Sequence, residues 1–111
     1  MENIDKETKK KISKLQMLEQ RLQSLAMQKQ TFQTQSMESD NALREIDNSE
    51  DTYKVVGNVM ISVEKTELKK ELTSKKEMAD MKVTNLEKEE KKLREEATEL
   101  QKEVMGSIKN E

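Results

Sequence analysis

Apolar residues recur at alternating steps of three and four along two long stretches of the chain. In the first stretch this stripe comprises Leu15, Leu18, Leu22, Leu25, Lys29, Phe32, Ser36, Ser39, Leu43 and Ile46. In the second it comprises Leu72, Lys76, Ala79, Val83, Leu86, Glu90, Leu93, Ala97, Leu100 and Val104. Such spacing places side chains on one face of an α-helix and is typical of a coiled coil. The pattern predicts helices over about 5–48 and 66–108, with polar residues interrupting each seam.

The segment between the two stripes has a different pattern. Residues 53–63 contain the strand-like sequence Tyr-Lys-Val-Val-Gly-Asn-Val-Met-Ile-Ser-Val, which is rich in β-branched residues. Gly57 and Asn58 tolerate the positive φ of a two-residue hairpin turn. We therefore predict a β-hairpin over 53–63, with Val59, Ile61 and Val63 on one face. Thr66 is the predicted N-cap of the second helix.

The two stripes can be tested against each other. Two helices joined by so short a connection must run antiparallel, and facing residues of an antiparallel pair have a constant sum of residue numbers. Leu18 with Ala97, and Leu43 with Leu72, both add up to 115, which places the fold-back between Gly57 and Asn58. The predicted fold is therefore mainly α, a long antiparallel two-helix coiled coil with a short β-hairpin between the helices.

Composition limits the possible functions. Charged residues make up 40% of the chain and hydrophobic ones 32%, so burial must come from narrow seams and from partners. The net charge of −2 provides no basic field for nucleic acid, and no apolar run is long enough for a membrane span. With no cysteine or histidine, we expect no metal site, no cofactor and a cytoplasmic protein. Carboxylates such as Glu89 and Glu90 are expected to be too exposed for acid–base catalysis, so an enzyme is not predicted.

Two apolar sets suggest interaction surfaces. An isolated two-stranded hairpin is marginally stable and its edges invite pairing, so we expect hairpins of several subunits to join in a sheet or barrel. The alternative is that the hairpin folds back onto its own helices. The predicted assembly hairpin consists of Tyr53, Val55, Gly57, Asn58, Val59, Ile61 and Val63.

The second apolar set lies near the two chain ends. Part of it falls off the stripes, and Ile12, Met17, Met105 and Ile108 are expected to be exposed. Exposed apolar residues that include adaptable methionines are a candidate binding surface, although scattered surface apolar residues are also normal. The predicted binding tip consists of Ile4, Ile12, Leu15, Met17, Leu100, Val104, Met105 and Ile108.

The order helix, hairpin, helix, with Tyr53-Lys54-Val55-Val56-Gly57-Asn58 at its centre, resembles the β-class subunits of prefoldin. Further matching segments are Gln28-Lys29-Gln30, Asn41-Ala42-Leu43 and Lys65-Thr66-Glu67-Leu68. The α class resembles this chain too but carries two hairpins, and only one fits here. The resemblance implies one prefoldin-like domain over 1–111 and a hexamer of two α and four β subunits, with the hairpins in a double β-barrel. It also implies an ATP-independent chaperone whose tips hold unfolded proteins and deliver them to a group II chaperonin.

Two functions from different classes follow from these patterns. The first is a holdase that captures unfolded chains at the coiled-coil tips, with avidity from several arms. The second is a structural coiled-coil scaffold without client binding. Deleting 53–63 distinguishes them, because only the first requires the hairpin for assembly.

Overall fold

Two long helices joined by a short β-hairpin make up the chain. The structure, a computed structural model, describes residues 5–109. Its elements in chain order are α1 (Lys6–Asp47), β1 (Tyr53–Val56), β2 (Val59–Ser62) and α2 (Lys65–Lys109). The predicted fold class, mainly α with a hairpin between two long helices, is confirmed. The joining of hairpins into a barrel concerns several subunits and stays a prediction.

Helix α1 has a side-chain cap at its start and a tightened turn at its end. Asp5 Oδ1 accepts a hydrogen bond of 2.7 Å from the amide of Thr8, which satisfies one of the free N–H groups of the first turn. Hydrogen bonds from Thr8 lower the pKa of the Asp5 carboxyl. At the other end the amide of Ser49 bonds to the carbonyl of Ile46, three residues back, as in a 3₁₀ turn.

Helix α2 begins before the predicted N-cap. Thr66 was expected to cap the helix, but the helix starts at Lys65, and the carbonyl of Glu64 already accepts the amide of Leu68 at 3.0 Å. The prediction was wrong because Val63 is still tied to the hairpin by its bond to Thr52, so the chain turns into the helix directly afterwards. Gly106 does not end the helix, which continues to Lys109.

The predicted stripes form the seam between the helices. Every stripe position is buried or half-buried, and Leu25 is the most deeply buried of the apolar side chains. The buried stripe residues are Leu18, Leu25, Ser39, Ile46, Ala79, Glu90 and Val104. Because heptad spacing keeps these positions on one face, the seam is a single narrow line of contact rather than a broad core.

The chain divides into two compact units. The terminal unit comprises the residues up to Lys29 and from Asn85 onward, and the hairpin unit comprises Gln30–Thr84. In the terminal unit, ion pairs between the helices join Lys14 to Glu96 and Arg21 to Glu89. In the hairpin unit, Ser36 Oγ donates to Asp80 Oδ1. The residue numbers of each pair add up to within five of 115, so both units have the predicted antiparallel register.

Candidate functional site: the hairpin, its root and the helix ends

The hairpin turns at the residues that the sequence indicated. Strands β1 and β2 are antiparallel, with Val56 opposite Val59 and Lys54 opposite Ile61. Gly57 has a φ of 61°, in the left-handed region that other residues adopt only at a cost. Cross-strand partners share a face, so Lys54, Val56, Val59 and Ile61 lie on one side. The opposite side carries Tyr53, Val55, Met60 and Ser62.

The apolar side chains of both hairpin faces are exposed in the single chain. Six of them, Tyr53, Val55, Val56, Val59, Met60 and Ile61, have exposed fractions between 43% and 67%. Within residues 5–109 the sheet has two strands, so both of its edges lack a neighbour. The chain's own helices do not cover this surface, although the first turns of α2 approach the side that carries Ile61 and Val63. Exposed apolar faces and open edges together are typical of strands that pair with other chains.

The root of the hairpin is held to the helices by hydrogen bonds. Thr52 is buried, its hydroxyl donates to the carbonyl of Val63 at 2.7 Å, and its own carbonyl accepts the amide of Val63 at 3.0 Å. Lys65 Nζ donates to the carbonyls of Asp47 and Ser49 at the end of α1. A cation is favourable there because carbonyl groups at a helix C-terminus are unpaired and carry partial negative charge.

Two ion pairs reinforce this root. Lys54 Nζ on β1 contacts Glu71 Oε1 on α2 at 2.6 Å, and Lys69 on α2 contacts Asp47 at the end of α1. The hydrogen bond from Lys54 lowers the pKa of the Glu71 carboxyl, and the one from Lys69 lowers the pKa of Asp47. Strand β1 is therefore fixed to α2, and α2 is fixed to the end of α1 from which the hairpin emerges.

A buried ion pair interrupts the seam of the terminal unit. Glu90 is 2% exposed, and its Oε1 lies 2.8 Å from Lys29 Nζ, while Arg94 Nη2 lies 3.6 Å from Oε2. The expectation that Glu90 is exposed was wrong, because its stripe position turns it into the seam. A charge so placed is tolerable only with a partner. The layer is therefore specific for the register that brings Lys29 to Glu90.

The residues of the predicted tip occupy three different environments. Val104 is buried in the seam, and Leu15 and Leu100 are half-buried there. Met17 and Met105 are exposed, as expected. Ile12 and Ile108 were expected to be exposed but are half-buried. Continuing the stripes by one step puts Lys11 and Ser107 in the seam, and the two isoleucines directly follow them. Ile4 lies outside the described residues.

Neither a metal site nor a membrane-spanning helix occurs in the described part of the chain. Residues 5–109 contain no group of three or more acidic side chains that could hold an ion. No helix among them is both long enough and apolar enough to cross a bilayer.

Sequence comparison identifies the relatives of this chain. A sequence profile of the prefoldin subunit family matches residues 9–111. The prefoldin subunit beta of Archaeoglobus fulgidus is 32% identical, over 87% of this chain and 86% of that protein. The prefoldin subunit beta of Methanospirillum hungatei is also 32% identical, over 97% of this chain and 92% of its own length.

The fold comparison agrees. The crystal structure of the prefoldin beta subunit from Thermococcus strain KS-1 matches with a TM-score of 0.87, covering 96% of both chains at 31% identity. The match covers both helices and the hairpin, and the prefoldin family is a family of chaperones. The chain therefore belongs to the prefoldin family, as a subunit of the β class.

Proposed function

We propose that this chain is a subunit of an ATP-independent holdase that captures unfolded proteins at the ends of its helices and passes them to a group II chaperonin. The observation that carries the proposal is the exposure of the hairpin on both faces and both edges, in a chain of a chaperone family. Assembly with other subunits would bury these apolar side chains and pair the open strand edges. The ends of the helices are then left available for clients.

Assembly takes place through the hairpin. Edge strands with exposed apolar side chains pair with equivalent strands, and closing them into a barrel removes every open edge. The proposed assembly is a hexamer of two α-class and four β-class subunits, in which the residues 53–63 of each β subunit contribute to a β-barrel. The ion pairs at the root, Lys54 with Glu71 and Lys69 with Asp47, support this role because they set the direction in which the strands leave the helices.

Clients are bound by one flank of the terminal unit. Met105 and Ile108 are three residues apart on α2 and therefore share a face, and Ile12 lies on α1 at the matching register position across the seam. Met105 is exposed while the two isoleucines are half-buried beside it, which gives an apolar surface with an adaptable methionine at its centre. Leu15, Leu100 and Val104 support this surface from within the seam, and Met17 adds an exposed contact. Each contact is weak, and several subunits acting together provide the affinity.

The remaining elements of the proposal follow from family membership. The clients are non-native proteins, the assembled complex acts in the cytoplasm, and residues 1–111 form a single prefoldin-like domain. No nucleic acid or membrane is involved, in keeping with the net charge of −2 and the absence of a spanning helix among residues 5–109.

Two measurements test assembly and capture separately. First, native mass measurement of the chain mixed with an α-class prefoldin subunit should give the hexamer, and the variant Val59→Lys/Ile61→Lys should leave unassembled subunits. Second, the assembled complex should suppress aggregation of a denatured enzyme. The variant Met105→Gln/Ile108→Gln should assemble normally but lose at least half of this suppression.

A matched control tests whether the loss of suppression is specific to residues at the helix ends or follows from removing any exposed methionines. Met27 and Met81 are exposed on the outer faces of the helices, away from the ends. The variant Met27→Gln/Met81→Gln should therefore retain full suppression. Equal loss in both double variants would refute capture at the tip, and an oligomer unaffected by deletion of 53–63 would favour a coiled-coil scaffold without client binding.

A further inference from the structure

An open groove runs along one flank of the hairpin unit, lined by the second half of α1 and the first half of α2. Its volume is about 440 Å³. Phe32, Leu72 and Ala79 from the seam form its apolar floor, and Lys75 and Lys82 stand on the α2 side. Glu38 and Gln35 line the α1 side. The groove contains Phe32, the one phenylalanine of the chain, and lies in neither the hairpin nor the tip.

The charges of this groove differ from those of the same flank in the terminal unit. There, the residues directly before seam positions pair across the helices, Lys14 with Glu96 and Arg21 with Glu89. Lys75 and Lys82 also lie directly before seam positions, but the residue at the matching register position opposite Lys75 is Gln35, which is uncharged. Among residues 5–109, no carboxylate lies within ion-pair distance of Lys75 or Lys82.

Lys82 contacts the apolar floor directly, and Lys75 lines the same groove without an ion pair to any of residues 5–109. Lys82 Nζ lies 4.7 Å from the centre of the Phe32 ring, a cation–π contact that keeps the ammonium over the groove. Glu71, four residues before Lys75 on α2, interacts with Lys75 only at longer range, because its carboxylate is bound by Lys54 at 2.6 Å. Both ammonium groups are therefore able to accept an anionic partner, next to apolar surface that such a partner would cover.

We infer that this groove binds an amphipathic helix of another protein that carries two acidic residues seven positions apart. Lys75 and Lys82 are themselves seven residues apart on one helix, which corresponds to about 10.5 Å along the axis. A helix lying along the groove repeats its own side chains at the same interval, so acidic residues at positions i and i+7 meet the two lysines together. Apolar residues at i+3 and i+4 then face Phe32 and Ala79, as in other helix-in-groove complexes.

Charge complementarity also limits the class of partner. The single acid on the opposite rim, Glu38, repels a uniformly anionic ligand but accepts a neutral or basic residue on the far side of a helix. The overall charge of −2 likewise disfavours a polyanion such as nucleic acid. The inference concerns a site separate from client capture and does not depend on it.

A designed peptide tests the site. The probe is an 18-residue fluorescent helical peptide with Glu at i and i+7 and Leu at i+3 and i+4, titrated into the full chain and followed by anisotropy. We expect saturable binding that weakens with salt, and at least a tenfold loss of affinity in Lys75→Gln/Lys82→Gln. The variant Lys88→Gln/Lys91→Gln removes the same charge from exposed positions of α2 outside the groove and should bind normally.

A second variant keeps the test independent of folding defects. Gln35→Glu adds an acid opposite Lys75, as Glu89 lies opposite Arg21, so it should abolish peptide binding without lowering helix content. The inference is overturned if the peptide does not bind at all, if the two lysine double variants lose affinity equally, or if Gln35→Glu binds normally. It is also overturned if a peptide with its glutamates five positions apart, or a single-stranded oligonucleotide, binds as tightly.

Discussion

The ion pair between Lys29 and Glu90 gives the sharpest test of how the seam is stabilised. Replacing Lys29 by Met removes the cation that lies 2.8 Å from Glu90 Oε1 and leaves the carboxylate, whose side chain is 3% exposed, in the seam. Removing one partner of a buried pair costs about 3–5 kcal/mol, because the other charge stays desolvated. We expect the low end, about 3 kcal/mol, since Arg94 remains 3.6 Å from Oε2.

The double variant Lys29→Met/Glu90→Leu separates the pair from the packing around it. It replaces both charges by apolar side chains of similar volume, so it should recover the whole loss and gain about 1 kcal/mol over the native chain. The matched control is Lys14→Met, which breaks the exposed pair with Glu96 and should cost less than about 1 kcal/mol.

Urea unfolding followed by ellipticity at 222 nm measures these differences in stability. All variants are compared at one chain concentration, and the free energy of unfolding is given the same slope against urea concentration for each of them. The reasoning is refuted if Lys29→Met is no more destabilising than Lys14→Met. It is equally refuted if the double variant is as unstable as Lys29→Met, since the loss would then come from packing and not from an unpaired charge.

Three further outcomes follow from the hairpin and the helix ends. Lys69 and Lys54 lower the pKa values of Asp47 and Glu71, so the stability that these two ion pairs contribute is present above the ordinary carboxyl pKa of about 4 and is lost as the pH falls through the lowered values. Hydrogen-exchange protection of the Val63 amide should therefore fall in that acidic range. In Lys54→Met/Lys69→Met the protection should be low at neutral pH as well. Gly57→Ala places a side chain at a φ of 61°, and no atom lies within 4 Å of the new Cβ, so backbone strain alone should cost about 1 kcal/mol of stability. Gly57→Asn should cost less. Equal thermal midpoints for the native chain and Gly57→Ala would contradict this. Gly106→Ala should add about 0.5 kcal/mol of stability and so raise the thermal midpoint of unfolding, because the position is helical with open space around it. A lower midpoint would show that the glycine is required there.

Periodicity carried most of the fold prediction. A heptad stripe is a local property of the sequence. An antiparallel pair of helices adds one constraint on the register, because the residue numbers of facing residues have a constant sum. The turn signal at Gly57 and Asn58 selected one value of that sum. Stripes, turn and register were therefore all predictable without knowledge of any side-chain contact.

The interactions that depend on side-chain reach could not be predicted in the same way. The constant sum of 115 puts Lys29 opposite Leu86 and Glu90 opposite Leu25, in two neighbouring layers, whereas the structure joins the two charges across one helical turn. Lys65 and Lys69 look like solvated residues of a first helical turn, and only the three-dimensional position of the end of α1 shows that they bind it.

The narrow seam has a consequence for how the paired helices come apart. Burial is arranged in single file, and Leu25 is the one large side chain among residues 5–109 that is fully enclosed. Each layer can therefore separate at a cost set by that layer and its neighbours rather than by the whole molecule. Fraying that begins near Val104 can thus proceed inward layer by layer and should meet its first strong resistance at Leu25 and the charges beside it. The outer turns of the terminal unit can accordingly open while the layer at Leu25 stays closed.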